Sequence, residues 1–170
     1  MMTGRTPGGL LLPNKNALEF AKRAPWPMHC EEPPAPAGGL RIDAGYLSPY
    51  FITDPGRCLA GLDDAFVLAA ANAIVTQQDL VPILEKVAQS GQPLLIVAPA
   101  VGEEVLALLV LNKLRGILRV CAVALKDIGP VADHLGCRII PVPLARCALT
   151  DLGSARHISS GIRSTVIVRS

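Results

Sequence analysis

The sequence has few aromatic residues and no long uninterrupted apolar run. Only six of its 170 residues are aromatic. The longest apolar stretch, Leu94 to Leu111, is broken by Pro99, Gly102, Glu103 and Glu104, whereas a membrane-spanning helix needs about 20 predominantly apolar residues. A membrane span is therefore not expected, and we expect a soluble protein.

Concentrated positive charge is also missing, and so are cysteine pairs at metal-ligand spacing. The formal net charge is +2 and no Lys/Arg block is interleaved with aromatic residues, so nucleic acid is not an expected partner. The five cysteines include no CxxC pair, and no signal segment precedes them, which favours a reducing compartment and a cytoplasmic location. His134, Cys137 and Cys147 lack the second pair that a metal site needs. We expect small buried thiols and no cofactor.

Recognisable catalytic patterns are lacking as well. The three histidines have no partner motif in the sequence, and the adjacent acid pairs at 63–64 and 103–104 diverge on any helix or strand. Neither a P-loop nor a dinucleotide-binding glycine pattern occurs. We therefore expect that the protein is not an enzyme, with a reactive thiol such as Cys58 or Cys121 as the remote alternative.

Residues 1–39 differ in composition from the rest of the chain. They contain seven of the fifteen prolines and several glycines, a composition that does not easily offset the entropy cost of ordering. We predict a flexible tail here, with one short helix over 16–23 that Leu18 and Phe20 anchor loosely. The basic residues of this stretch leave a transit segment, and thus a mitochondrial or plastid location, as an alternative.

Residues 40–170 alternate strand patterns with helix patterns. The predicted strands are 66–70, 94–98, 118–123, 138–142 and 165–168. The predicted helices are 76–90, 102–114 and, more weakly, 127–135. This alternation predicts one α/β domain with a mostly parallel central sheet.

Two of these helices carry more apolar surface than a surface helix needs. In the first, Leu80, Ile83 and Val87 form one apolar row at helical spacing. Val81, Leu84 and Ala88 form a second row beside it, which widens the apolar stripe to roughly 160°. The second helix is apolar all round over 105–111. Such a helix is covered on two sides or leaves one side open to a partner.

The loop before the first strand gathers half of the aromatic residues. Gly45 and Pro49 disfavour a regular helix or central strand there, and Tyr46, Tyr50 and Phe51 lie within six positions. Large apolar side chains on a loop either pin the loop to the core or form a surface for a partner.

Read together, three blocks resemble the apical domain of the group I chaperonins, the GroEL family. The block 41–52, which contains Gly-Tyr-Leu-Ser-Pro-Tyr-Phe, resembles the family's signature loop, and 80–96 and 104–116 resemble its two substrate-binding helices with the strand between them. The resemblance implies a three-layer α/β fold. It also implies an apolar rim that captures non-native polypeptides and docks the mobile loop of a co-chaperonin. That rim consists of Tyr46, Tyr50, Phe51, Val81, Leu84, Leu106, Val110, Leu111 and Asn112.

The sequence departs from that family in two respects. The glycine- and arginine-rich segment after the third strand is missing between Val123 and Asp127, and no equatorial domain with an ATP motif or intermediate domain is recognised. The leading hypothesis is therefore ATP-independent binding of unfolded or partly folded polypeptides. The alternatives are a dedicated module for a co-chaperonin or chaperonin subunit, and a non-functional chaperonin fragment.

Overall fold

Six strands form one mixed sheet in the computed structural model, which describes residues 4–142, 144 and 146–170. The strands are β1 (Gly39–Ile42), β2 (Ala60–Ala69), β3 (Leu94–Ala98), β4 (Val120–Ala124), β5 (Gly153–Ser160) and β6 (Thr165–Arg169). The α-helices in the described residues are α1 (Lys15–Lys22), α2 (Gln77–Ser90), α3 (Glu103–Leu114) and α4 (Gly129–Leu135). Short 3₁₀ turns occur at Pro49–Phe51 and Leu149–Asp151. The chain is therefore mixed α/β, as predicted at that level.

The prediction of a mostly parallel sheet was wrong, because only part of the sheet is parallel. The strand order is β1-β6-β5-β2-β3-β4, and only the β2–β3 and β3–β4 pairs are parallel. The four residues 161–164 join β5 to β6, which is too short for a parallel crossover and enforces an antiparallel hairpin. β5 then pairs antiparallel with β2, and β1 pairs antiparallel with β6.

The parallel half of the sheet determines where α2 and α3 lie. Both helices are crossovers between neighbouring parallel strands, one from β2 to β3 and the other from β3 to β4. Such crossovers are right-handed and here step in the same direction along the sheet, so both helices lie on one face. All five residues of β3 are fully buried beneath that face, as expected for a strand covered on both sides.

Most predicted elements correspond to observed ones, and one strand does not. In the segment 138–142 the structure has an isolated bridge between Ala70 and Ile140, where Ile140 N–H donates to the carbonyl of Ala69 at 2.8 Å. Pro141 has no N–H to continue a ladder. The prediction of a strand over 138–142 was therefore wrong.

The flexible tail predicted over residues 1–39 contacts the domain at several points in its described part, which begins at residue 4. The short helix predicted over 16–23 corresponds to α1, which contacts α3. Leu10 has no exposed surface and belongs to the main apolar core. No helix among the described residues is both long and apolar enough to cross a membrane.

Candidate functional site

The nine residues of the predicted rim lie on three elements that the fold brings together. The loop containing Pro49–Phe51 contacts α3, and α3 contacts α2. None of the nine side chains is exposed: Tyr50, Val81, Leu106 and Leu111 are half-buried, and the others are buried. The rim is therefore covered in this structure rather than open.

The loop is shaped by its own hydrogen bonds. Ser48 accepts a bond from the Tyr50 N–H at 3.2 Å, and Pro49 begins the 3₁₀ turn. This turn directs Phe51 inward, where it is 1% exposed. Leu47 donates its N–H to the carbonyl of Ala122 on β4 at 2.9 Å.

Tyr46 is pinned to the core through its hydroxyl. The Tyr46 O–H donates to the carbonyl of Cys58 at 3.0 Å, and the residue is only 2% exposed. Burial, followed by the neighbouring Cys30 thiol, raises the pKa of Tyr46 above its ordinary value. Of the three loop aromatics, Tyr50 is thus the one with accessible surface.

Residues 4–12 lie against α2 and α3, where they contact Glu85 and the rim residue Asn112, and we call them the occupying hairpin. Arg5 and Leu11 form an antiparallel bridge, and the Leu12 N–H donates to the carbonyl of Gly4 at 2.7 Å. The turn passes through Gly9, whose φ of +91° suits glycine. This geometry places Leu10 in the core immediately after the turn.

Asn112 on α3 binds the main chain of the occupying hairpin at two points. Its Oδ1 accepts the Leu11 N–H at 2.8 Å, and its Nδ2 donates to the Leu11 carbonyl at 2.8 Å. The same Nδ2 donates to the Leu108 carbonyl at 2.8 Å, which fixes the orientation of the amide on the helix. Asn112 is fully buried, so the contact replaces water with a polypeptide backbone.

Glu85 on α2 binds the turn of the same hairpin. Its Oε2 accepts the Thr6 hydroxyl at 2.7 Å and a short hydrogen bond from the Gly8 N–H. A Cβ at position 8 would collide with this carboxylate. The occupying hairpin therefore spans the groove between α2 and α3, which we call the binding groove, with one polar anchor on each helix.

The segment after the occupying hairpin covers the remaining aromatic residues more loosely. Phe20 stacks on Tyr50 with ring centroids 4.9 Å apart, and Trp26 stacks on Tyr46 at 5.9 Å. Yet Phe20 and Trp26 are each about half exposed. A cleft of about 480 Å³ remains between α1 and α3.

The sequence did not predict two of these contact residues, Glu85 and Trp26. Nothing in the local sequence pattern of α2 indicates the role of Glu85. Trp26 lies in the predicted flexible tail. That segment contains two of the six aromatic residues of the chain, Phe20 and Trp26, which is unusual for a flexible tail. This aromatic content was the available sign that the segment contacts the domain.

The described residues contain little that resembles a catalytic or metal centre. His157 Nδ1 lies 2.6 Å from Asp63 Oδ1, but this is an exposed cross-strand pair between β5 and β2. Among the described residues, no group of three or more His, Cys, Asp or Glu side chains is arranged to hold a metal ion. The binding groove itself contains apolar side chains, one amide and one carboxylate.

No known protein family model matches this chain.

Proposed function

We propose that this domain binds non-native polypeptides through the rim and the binding groove, in the manner of a chaperone and without ATP. The proposal includes the finer fold assignment, a three-layer domain like the apical domain of the group I chaperonins. It rests on the sequence resemblance of the three blocks and on one structural observation. That observation is the pair of hydrogen bonds between the Asn112 side chain and the backbone N–H and C=O of Leu11.

Hydrogen bonds to the backbone of a bound segment suit a protein that binds many different sequences. The N–H and C=O of a residue are the same in almost every residue type, so the Asn112 amide recognises an extended chain without reading its side chains. The apolar rim adds contacts that are non-directional and follow buried area. Together they select extended, apolar polypeptide, which folded proteins rarely expose.

The expected affinity for a single client segment is modest. A large aliphatic side chain gains about 1.5–3 kcal/mol on burial, and each hydrogen bond contributes about 0.5–1.5 kcal/mol net. Association and ordering offset much of this gain. Efficient capture of clients then requires several domains acting together on one polypeptide.

The test is suppression of aggregation of a chemically denatured model protein, without nucleotide. Wild-type protein should suppress aggregation, whereas Tyr50→Glu and Leu111→Glu should suppress it several-fold less, since both introduce charge at half-buried rim positions. Ile139→Glu is the matched control, because Ile139 is an exposed apolar residue outside the rim. Absence of protection by folded wild-type protein, or equal protection by all variants, contradicts the proposal.

A dedicated partner is the second candidate, and the Glu85 contact favours it. The carboxylate accepts hydrogen bonds from the Thr6 hydroxyl and from the Gly8 N–H, which favours a turn that presents both donors on one side. A co-chaperonin loop or a chaperonin subunit that presents such a turn fits this chemistry. Competition separates the candidates: one denatured client should displace another from a general binder and leave a dedicated module unaffected.

A further inference from the structure

The occupying hairpin is held to the domain by a small number of contacts that any similar segment can reproduce. Its backbone is held by Asn112, its turn by Glu85, and its Leu10 side chain by burial. The Asn112 contact involves only backbone atoms of Leu11, so it does not depend on the side chain there. The occupying hairpin therefore binds the groove as a separate peptide ligand could. The same residues of α2 and α3 form the site at which the proposed function places client polypeptides.

The remainder of the covering segment contacts α3 through α1, where Leu18 packs half-buried against the core, but it contributes few fully buried side chains. Of the eight residues of α1, only Ala21 is buried. Phe20 is 52% exposed despite its stacking on Tyr50. The ion pair between Lys22 Nζ and Glu103 Oε2, at 3.1 Å, lies between exposed side chains, where such pairs contribute little.

We propose that residues 4–22 are a displaceable intramolecular ligand of the binding groove, which must leave before another polypeptide enters. This inference rests on the proposed function for the identity of the site. The partner class follows from the occupant: a glycine turn that presents an N–H to Glu85, followed by a large aliphatic side chain and then an extended residue held by Asn112. The apparent affinity for such a partner equals the intrinsic affinity multiplied by the fraction of molecules in which the groove is free.

The first test measures binding of a fluorescent synthetic peptide with the sequence of residues 4–13 to the full chain. Two variants weaken the internal occupant and leave the groove intact. Leu10→Asp places a charge at the buried position, and Gly8→Val places a side chain where the Glu85 carboxylate lies, so that the carboxylate must move away from the N–H that it accepts. Met28→Asp is the control, since Met28 is 89% exposed. We expect both weakened variants to bind the peptide at least tenfold more tightly than wild type and the control to match wild type.

The second test asks whether the occupant leaves when the peptide binds. In wild-type protein, saturating peptide should accelerate amide hydrogen exchange of residues 10–12 at least tenfold and leave exchange in β3 unchanged. A purely structural segment would show no acceleration. Gly8 is in a half-buried turn, so its variant keeps the test valid if Leu10→Asp fails to fold.

The outcomes separate this inference from the proposed function. Equal peptide affinity in all four proteins, or no binding by any of them, overturns the inference. If Gly8→Val binds the peptide tightly but suppresses no aggregation while folded, the inference stands and the proposed function fails. If wild type and Gly8→Val suppress aggregation equally and bind the peptide equally, the proposed function stands and the inference fails.

Discussion

The side chain of Asn112 forms hydrogen bonds with both the N–H and the C=O of Leu11, each at 2.8 Å, across 101 positions of sequence. Replacing Asn112 by alanine leaves two backbone groups of Leu11 without these partners. An unsatisfied buried polar group costs about 1–3 kcal/mol. We therefore expect Asn112→Ala to lower the free energy of unfolding by about 1–3 kcal/mol.

Urea denaturation followed by circular dichroism measures this change. Asn16→Ala is the matched control, because Asn16 is an exposed asparagine on α1. A loss below about 0.5 kcal/mol for Asn112→Ala, equal to that of the control, would show that the contact is not maintained in solution.

Leu10 should behave as a core residue even though it lies in a segment that the sequence predicts to be flexible. Its side chain is fully buried, and truncation of a buried leucine to alanine costs about 2–5 kcal/mol. We expect Leu10→Ala to lose at least about 2 kcal/mol in the same denaturation experiment. Met28→Ala, at an exposed position, should lose almost nothing. An unchanged stability for Leu10→Ala would support the flexible-tail prediction instead.

The ion pair between Lys22 and Glu103 should contribute little to stability. The atoms are 3.1 Å apart, but the side chains are 42% and 72% exposed, and exposed pairs are typically worth less than about 1 kcal/mol. Lys22→Ala should therefore change the free energy of unfolding by less than about 1 kcal/mol. A loss of about 2 kcal/mol or more would mean that α1 is held far more firmly than its exposure indicates.

Stability should fall at alkaline pH because of the buried thiol of Cys121. Burial raises its pKa from the ordinary 9.0 to about 12. Above pH 9 the thiol ionises in the unfolded chain but stays protonated in the folded one, so the stabilisation is complete below pH 9 and is lost as pH rises towards 12. One such group contributes a slope of about 1.4 kcal/mol per pH unit.

Thermal unfolding between pH 8 and pH 11 measures this dependence. Cys121→Ala removes the group and should flatten the decline. Tyr46, whose pKa is also raised by burial, contributes a remaining decline in the same direction above its ordinary value of 10.0. An identical pH profile for wild type and Cys121→Ala would contradict the assignment.

The elements that the sequence predicted correctly are those whose buried residues follow a regular apolar spacing within the segment itself. The run Leu94–Ala98 is apolar at every position and forms β3 as predicted. The helical spacing of Leu80, Ile83 and Val87 corresponds to the buried face of α2. In such segments the periodicity of a few neighbouring residues is sufficient.

The elements that were missed owe their burial to distant partners. β5 has the sequence Gly-Ser-Ala-Arg-His-Ile-Ser-Ser, and its last three residues are buried only because β2 and β6 flank it. Ser160 and Thr165 then share a buried hydrogen bond at 2.7 Å. No local apolar pattern indicates such a strand, so β5 and its antiparallel pairing were not predicted, although the neighbouring strand over 165–168 was.

The candidate site likewise contains residues that a local pattern indicated and residues that depend on distant partners. Its residues on α2, α3 and the loop were indicated by surplus apolar surface and by a family resemblance, and the fold does place these elements next to one another. The occupying hairpin was not predicted, because its anchors Glu85 and Asn112 lie 77 and 101 positions from the residues they bind. Contacts between residues so far apart in the sequence do not affect the spacing of apolar residues within either segment.

Methyl NMR of the leucine and valine side chains, during titration with a denatured client protein, shows whether the rim and groove bind non-native polypeptide. We expect the signals of Val81, Leu106 and Leu111 to shift or broaden, while the exposed Val75 outside the rim is unaffected. Unchanged signals at all three rim residues, or client binding that perturbs only residues elsewhere, would contradict the proposed function.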